Sequence, residues 1–278
     1  MLTSPAFLAD ATPAPAAATA NDSHPLLSAP MQALRSVGET HLRRYHRHEV
    51  TTRGRLPDEP VLFVANHGFG GIGDLNVAAT FAALERVAPQ RAVTTMTHQL
   101  AWTLGAGKLV EAAGARPAGR ASAIEAFARG ESVLVFPGGD IEASKSFADR
   151  NRIVFGGRRG FARLAADNAV PIVPIVTAGA GESLLVLSDG QRLARALRLD
   201  KTLRVKTLPV ALSLPWGLGV GVTAVLPYGP LPTKLTTIVL DPMRPLDGEP
   251  AEQFGDRVEA AMTAAMTAMT ADRVPLVG

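Results

Sequence analysis

Five apolar residues, Val61-Leu62-Phe63-Val64-Ala65, stand in an unbroken run that stops at Asn66-His67. A run this short and this apolar predicts a strand buried on both faces. The pattern returns in Ser132-Val133-Leu134-Val135-Phe136, halted by Pro137-Gly138-Gly139. It returns again in Val170-Pro171-Ile172-Val173-Pro174-Ile175-Val176, whose prolines predict an end or edge position in a sheet. Ala92 to Thr97 is strand-like. Helical periodicity predicts helices over Leu75 to Val87, Gln99 to Ala113, Ala121 to Arg129 and Gly160 to Asn168, and over Met31 to Tyr45 with Leu34, Val37 and Leu42 on one side. The run from Gly114 to Arg120 reads as a turn-rich link. Strands alternating with helices predict an α/β sheet with helices on its faces. No internal repeat and no second domain boundary is visible. Residues 1–30, rich in Ala, Pro, Thr and Ser and lacking a secretory signal's basic and apolar regions, read as a flexible leader to a folded domain over 31–278.

The predicted strands end in polar, glycine-rich loops, at Asn66–Asp74, Pro137–Glu142 and Ala178–Glu182. In α/β sheets ligands bind at that end of the strands, so neighbouring strands would bring the three loops to one rim. Four glycines stand between His67 and Asp74, enough for the backbone to turn back and set the carboxylate against the imidazole. A carboxylate on one imidazole nitrogen fixes the tautomer and leaves the other nitrogen to accept a proton, which makes His67 a candidate general base. The same Asp74 also fits a second description, a cap on the helix that starts at Leu75. Pro137-Gly138-Gly139 offers backbone N–H groups to a phosphate or an oxyanion, or is simply a tight turn. Arg116, Arg120, Arg150, Arg152, Arg158 and Arg159 gather near the same rim, with Arg120 best placed because it opens a helix.

Composition narrows these readings. A net charge of +3 is too mild, and an aromatic content of 5% too low, for a nucleic-acid partner. With no cysteine and no His-Glu-x-x-His no metal site is expected, and no Gly-x-Ser-x-Gly or phosphate-loop motif occurs. His98 reads as structural, and the basic cluster Arg43 to His48 as a solvated helix end or a phosphate contact. Mean hydropathy is +0.15, which predicts apolar surface. Leu208 to Leu226 is nearly continuous apolar sequence, yet Pro209, Pro215, Gly217, Gly219 and Gly221 oppose a spanning helix. Ahead of it Arg192, Arg195 and Arg198 recur beside Leu193 and Leu197, followed by Lys201, Arg204 and Lys206. A basic amphipathic helix feeding an apolar loop fits monotopic insertion into an anionic leaflet; packing of that loop in the core is the other reading.

Taken together, the loops resemble the glycerolipid acyltransferase superfamily, the group that contains lysophosphatidate acyltransferases. Its commonest first motif has four residues between Asn-His and Asp. Six stand here, as in the branch resembling diacylglycerol acyltransferases and their bacterial relatives. That branch also carries Phe-Pro-Gly-Gly with a following glutamate, matched by Phe136, Pro137, Gly138, Gly139 and Glu142. Gly114 to Arg120 resembles the second motif with Arg120 at its basic position, although Ala121-Ser122 replace the usual Glu-Asn. Arg159 to Ala165 with Val170 to Ile175 resembles the last motif, and Gly179 to Glu182 and Pro230 to Lys234 also have counterparts.

The resemblance implies a single α/β domain with a mixed, mostly parallel central sheet flanked by helices. It implies transfer of a fatty acyl group from acyl-CoA, or from an acyl carrier protein, to the hydroxyl of a lysophospholipid or diacylglycerol-like acceptor. His67 would be the base and Asp74 its partner. Asn66, Arg120, Phe136, Pro137, Gly138, Gly139, Glu142 and Arg159 would bind substrate, with no cofactor beyond the co-substrate. The place of work would be the cytoplasmic side of the cell membrane, peripheral or monotopic. A non-catalytic lipid- or acyl-CoA-binding protein and a lipid ester hydrolase are the competing readings.

Overall fold

The computed structural model describes residues 36–69, 74–97, 111, 114–198, 207–226 and 228–278. The leader, the helix over Gln99 to Ala113 apart from Glu111, His98, Gly70 to Gly73 and the cations Lys201, Arg204 and Lys206 lie outside the described residues.

In chain order, helix α1 covers 36–44 and is followed by strands β1 (Glu49–Thr52) and β2 (Leu62–Ala65). Then come α2 (Leu75–Val87), β3 (Val93–Thr97), β4 (Ala115–Pro117), α3 (Arg120–Ala128), β5 (Ser132–Val135), α4 (Gly139–Ala143), α5 (Gly160–Asp167) and β6 (Ile172–Ala178). The remaining elements are β7 (Leu185–Ser188), α6 (Gln191–Ala196), β8 (Val210–Ser213), β9 (Gly217–Val220), β10 (Thr236–Val239) and α7 (Ala251–Thr270). Seven strands form one sheet in the order β1-β10-β6-β2-β5-β3-β4. From β6 to β4 all neighbours are parallel, and β10 with β1 runs antiparallel to them. The fold is therefore a mixed, mostly parallel α/β sheet in a single domain.

Both faces of the central strands are buried, which is why they read as continuous apolar runs rather than alternating ones. Leu62 and Val64 point to the side of α5 and α7, packing with Phe161, Phe254 and Met262. Val61, Phe63 and Ala65 point to the other side, where Leu84 of α2 closes over them.

Three local expectations are corrected. The proline-bearing strand β6 lies inside the sheet, between β2 and β10, not at an edge. Pro174 is tolerated because its missing N–H falls on the β10 side, just past the last paired rung at Ile175 and Val239, where Leu240 N–H still donates to Pro174 O. The supposed link after Gly114 contains the edge strand β4. On α1 Leu42 is buried, whereas Val37 is 67% exposed; five residues along a helix amount to about 140° of rotation, so the two cannot share a face.

The basic cluster divides: Arg43 and Arg44 are an exposed helix end, and Tyr45 to His48 form a clasp. Tyr45 Oη donates to Pro230 O at 2.8 Å, Arg47 donates to Pro232 O at 2.9 Å, and buried His46 meets Thr233 O at 3.1 Å. His48 Nε2 meets Thr237 Oγ1 at 2.8 Å. Burial, with Arg86 and His46 nearby, lowers the His48 pKa to about 4. Its folded value lies below the ordinary one of 6.5, so its stabilisation is complete above pH 6.5 and is lost as pH falls toward 4. The loss amounts to about 2–3 kcal/mol. Urea titrations between pH 7 and 4 should show this limb in the wild type and a shallower one in His48→Asn; equal slopes would refute the assignment.

Candidate active site

His67 follows β2 by two residues, and Asp74 is the N-cap of α2. The intervening loop returns the carboxylate to the imidazole: Asp74 Oδ2 lies 2.8 Å from His67 Nδ1. The other oxygen, Oδ1, accepts from Asn76 N–H at 2.8 Å and Gly68 N–H at 3.2 Å. A helix cap and an imidazole partner are thus the same side chain, one oxygen for each task. The aspartate is buried, while the histidine side chain keeps 20% exposure. With Nδ1–H donated to Asp74, Nε2 carries the lone pair. Phe136 backs the imidazole, ring centroids 4.8 Å apart.

The three loops do converge. A Cβ on Gly68 would lie 2.9 Å from Ala180 Cβ and 3.0 Å from Asp74 Oδ1, so glycine is what allows the first loop to nest against the third. Glu142 joins the first loop to the second. Its carboxylate is fully buried; Oε2 accepts from His67 N–H at 3.0 Å and Oε1 from Val154 N–H at 3.0 Å. Lys145 Nζ stands 3.6 Å from Oε1 and donates to Arg152 O at 2.7 Å. Burial pushes the Glu142 carboxyl upward, against the pull of Lys145 and of the His67 and Val154 N–H groups. Gly138 leaves room for this carboxylate: a Cβ there would sit 2.2 Å from Glu142 Oε2.

The residues expected to bind substrate therefore occupy distinct places. Asn66 bridges β2 to β6, its amide nitrogen donating to Thr177 O at 3.0 Å and its oxygen accepting from Thr177 N–H at 2.9 Å. Gly139 N–H is donated to Phe136 O at 3.2 Å, which takes it out of the pair of donors expected from the turn. Arg158, rather than Arg120 or Arg159, reaches this turn. It donates to Pro137 O at 3.1 Å and to Gly138 O, and pairs with Asp140 at 2.6 Å. Arg120 pairs with Asp167 at 2.7 Å, both side chains more than 40% exposed. Arg159 is committed to the C-terminal helix through Asp256 and Glu259, each at 2.6 Å. Sequence reasoning passed over Lys145, although its i,i+3 spacing from Glu142 is a visible signal, and over Thr177 and Asn76, which carry none.

Behind the third loop, Thr233 Oγ1 donates to Gly179 O at 3.0 Å, and Glu182 binds Arg273 at 2.6 Å and Leu276 N–H at 2.8 Å. The counterpart motifs around Gly179 and Pro230 are thus parts of one buried clasp. Among the described residues no helix is long and apolar enough to cross a membrane, and no group of three or more His, Cys, Asp or Glu could hold a metal ion.

Residues 44–178, the stretch holding β1 to β6 and all three loops, match the family model described as Acyltransferase. Over just under half its length the chain is therefore similar to that acyltransferase family. Among its relatives is a chicken (Gallus gallus) protein named "DGAT1/2-independent enzyme synthesizing storage lipids", 25% identical over 85% of this chain and 64% of its own length. The cattle (Bos taurus) protein of the same name is 27% identical over 87% of this chain and 66% of its own. The chain thus spans about two thirds of these curated relatives. The acyltransferase fold itself is shared with the 1-acyl-sn-glycerophosphate acyltransferase PlsC of Thermotoga maritima, at 14% identity and a TM-score of 0.51 over 90% of this chain and 85% of that one.

Proposed function

We propose that the chain moves a fatty acyl group from acyl-CoA to the hydroxyl of a lipid acceptor, with His67 as general base. The observation that carries this reading is the 2.8 Å contact between Asp74 and His67 Nδ1, which leaves Nε2 for the acceptor. Nε2 takes the acceptor's proton as its oxygen attacks the thioester carbonyl carbon. The tetrahedral intermediate collapses, the carbon–sulfur bond breaks, and the imidazolium returns the proton to the leaving thiolate. Asp74 stabilises the imidazolium while it exists. The Gly138 N–H is the backbone donor suited to the developing oxyanion. Arg158, held against the same turn, supplies positive charge to a phosphate-bearing substrate. Base catalysis by an oriented imidazole requires no metal or prosthetic group, and an acyl carrier protein could present the same thioester.

The relatives' printed name supports a diacylglycerol-like acceptor over a lysophospholipid. Six residues between His67 and Asp74 and the Phe-Pro-Gly-Gly turn support the same branch. Such substrates fit a protein at the cytoplasmic side of the cell membrane, peripheral or monotopic.

Labelled acyl-CoA offered with a panel of lipid alcohols tests the proposal. Acylated lipid and free coenzyme A are expected in equal amounts. Free fatty acid without acylated lipid would make the protein a hydrolase, and tight acyl-CoA binding without turnover would make it a binding protein.

A further inference from the structure

We propose that the outer face of the three-stranded sheet β7-β8-β9 docks on an anionic lipid bilayer and so holds the His67 loop at the membrane surface. This deepens the reading above by naming the face through which a lipid acceptor arrives. Leu208 to Leu226 forms neither a spanning helix nor a core loop but most of this antiparallel sheet, and alternation sorts its side chains to two faces. Inward, Val186 and Ala211 pack on Leu184, Phe69 and, from the turn after β9, Ala224. Outward, Leu185, Leu212 and Leu218 are register partners and make a row across all three strands, with Val210 and Val220 paired in the next row. The β8–β9 turn adds Leu214 and Trp216, which with Leu218 are 64%, 55% and 65% exposed.

A sheet facing water alternates apolar with polar positions, whereas this one is apolar on both sides. No charged residue occurs from Thr207 to Thr233 or from Ser183 to Ser188. Contiguous apolar surface of this kind marks an interaction site.

Charge at the border selects the occupant. Helix α6 follows β7 after two residues and carries Arg192 and Arg195, with Leu193 and Leu197 exposed beside them. Arg192, Leu193 and Arg195 line one groove of about 410 Å³ with Val210 of β8. Asp189 also lines it, its carboxylate accepting from the backbone and side-chain N–H groups of Gln191. Leucines and a tryptophan for the acyl boundary, with arginines at the rim for lipid phosphates, are the chemistry of an interfacial element. A second protein's apolar face would leave those cations without a role.

The sheet also bears on the site. Phe69, two residues past His67, is 3% exposed beneath the inner face and meets Tyr228 at 6.4 Å. A bilayer on the outer face therefore lies about one sheet layer, roughly 10 Å, from the loop that carries the imidazole.

The full chain in a Trp102→Phe background leaves Trp216 as the one indole, and vesicles of phosphatidylserine and phosphatidylcholine with brominated acyl chains read its depth. Quenching is expected. The triple variant Leu212→Ser, Trp216→Ser, Leu218→Ser, all exposed positions, should lose vesicle partitioning by about 100-fold. It should keep its circular dichroism and its transfer to a short-chain acceptor in free solution. Arg192→Gln with Arg195→Gln should abolish the preference for anionic over pure phosphatidylcholine vesicles. His67→Ala should bind vesicles as the wild type does, so loss of docking and loss of chemistry are read separately. Unquenched Trp216, or wild-type partitioning by the triple variant, would overturn the proposal. So would wild-type dimers that the triple variant dissolves with vesicle binding unchanged, since the face would then belong to a second copy.

Discussion

His67→Ala should lower acyl transfer by about 10²–10⁴-fold with little change in the urea midpoint. The imidazole leaves a partly open position, so its removal creates no closed cavity, and the His67 N–H that Glu142 holds is backbone and survives the change. Asp74→Asn is the sharper partner experiment. Asn can keep its oxygen toward the Asn76 and Gly68 N–H groups and so still cap α2. Its amide nitrogen then faces His67 Nδ1 as a donor, which drives the ring proton to Nε2, where the acceptor's proton must go. Transfer should fall by a similar factor with the helix intact. Full activity in His67→Ala would sink the mechanism. Full activity in Asp74→Asn alone would reduce Asp74 to a cap, since the tautomer would not matter.

Glu142→Ala should destabilise the fold by about 3–5 kcal/mol, measured by urea titration. The carboxylate is fully buried and answers three donors: the His67 and Val154 N–H groups and the Lys145 ammonium. Alanine leaves an ammonium with 6% exposure without its buried carboxylate, and two N–H groups without their acceptor. Glu142→Gln keeps the volume and one oxygen but turns an amide N–H toward a donor, so its loss of stability should be smaller. Because the His67 backbone is released on one side, kcat should drop in Glu142→Gln while KM for acyl-CoA holds. A KM effect alone would return Glu142 to the substrate-binding role that its motif suggests. The Gly138 position explains why this turn is glycine: any Cβ would collide with the carboxylate that fastens it.

Much of this arrangement is legible in the residue pattern. The runs Val61–Ala65 and Val133–Phe136 declare strands buried on both faces, because a strand with one face in water would alternate apolar with polar positions. The end of each run marks where a loop must leave the sheet. Asn66, His67 and Asp74 announce an imidazole and a carboxylate within one turn-rich loop. The order of strands is not legible, since Pro174 argues for an edge while its actual place depends on where β10 stops. Nor are the arginines sorted by sequence: Arg158 and Arg159 are adjacent, yet one grips the Pro137–Gly138 carbonyls and the other the C-terminal helix. Neither lies inside a helix: Arg159 caps α5 and Arg158 precedes it, so the direction each side chain takes depends on how the turn before α5 is packed.

His67 and Asp74 alone left two readings of the aspartate, a cap or a partner. Sequence determines that a carboxylate stands at the start of α2 and that glycines allow it to turn back, because these are local properties of backbone and spacing. Only the tertiary structure decides that both readings hold at once, through two oxygens pointing different ways. It also decides that Glu142, from helix α4 75 residues away, anchors the histidine's backbone. Contacts between distant segments follow from how strands pair and helices pack, and no local pattern carries that information.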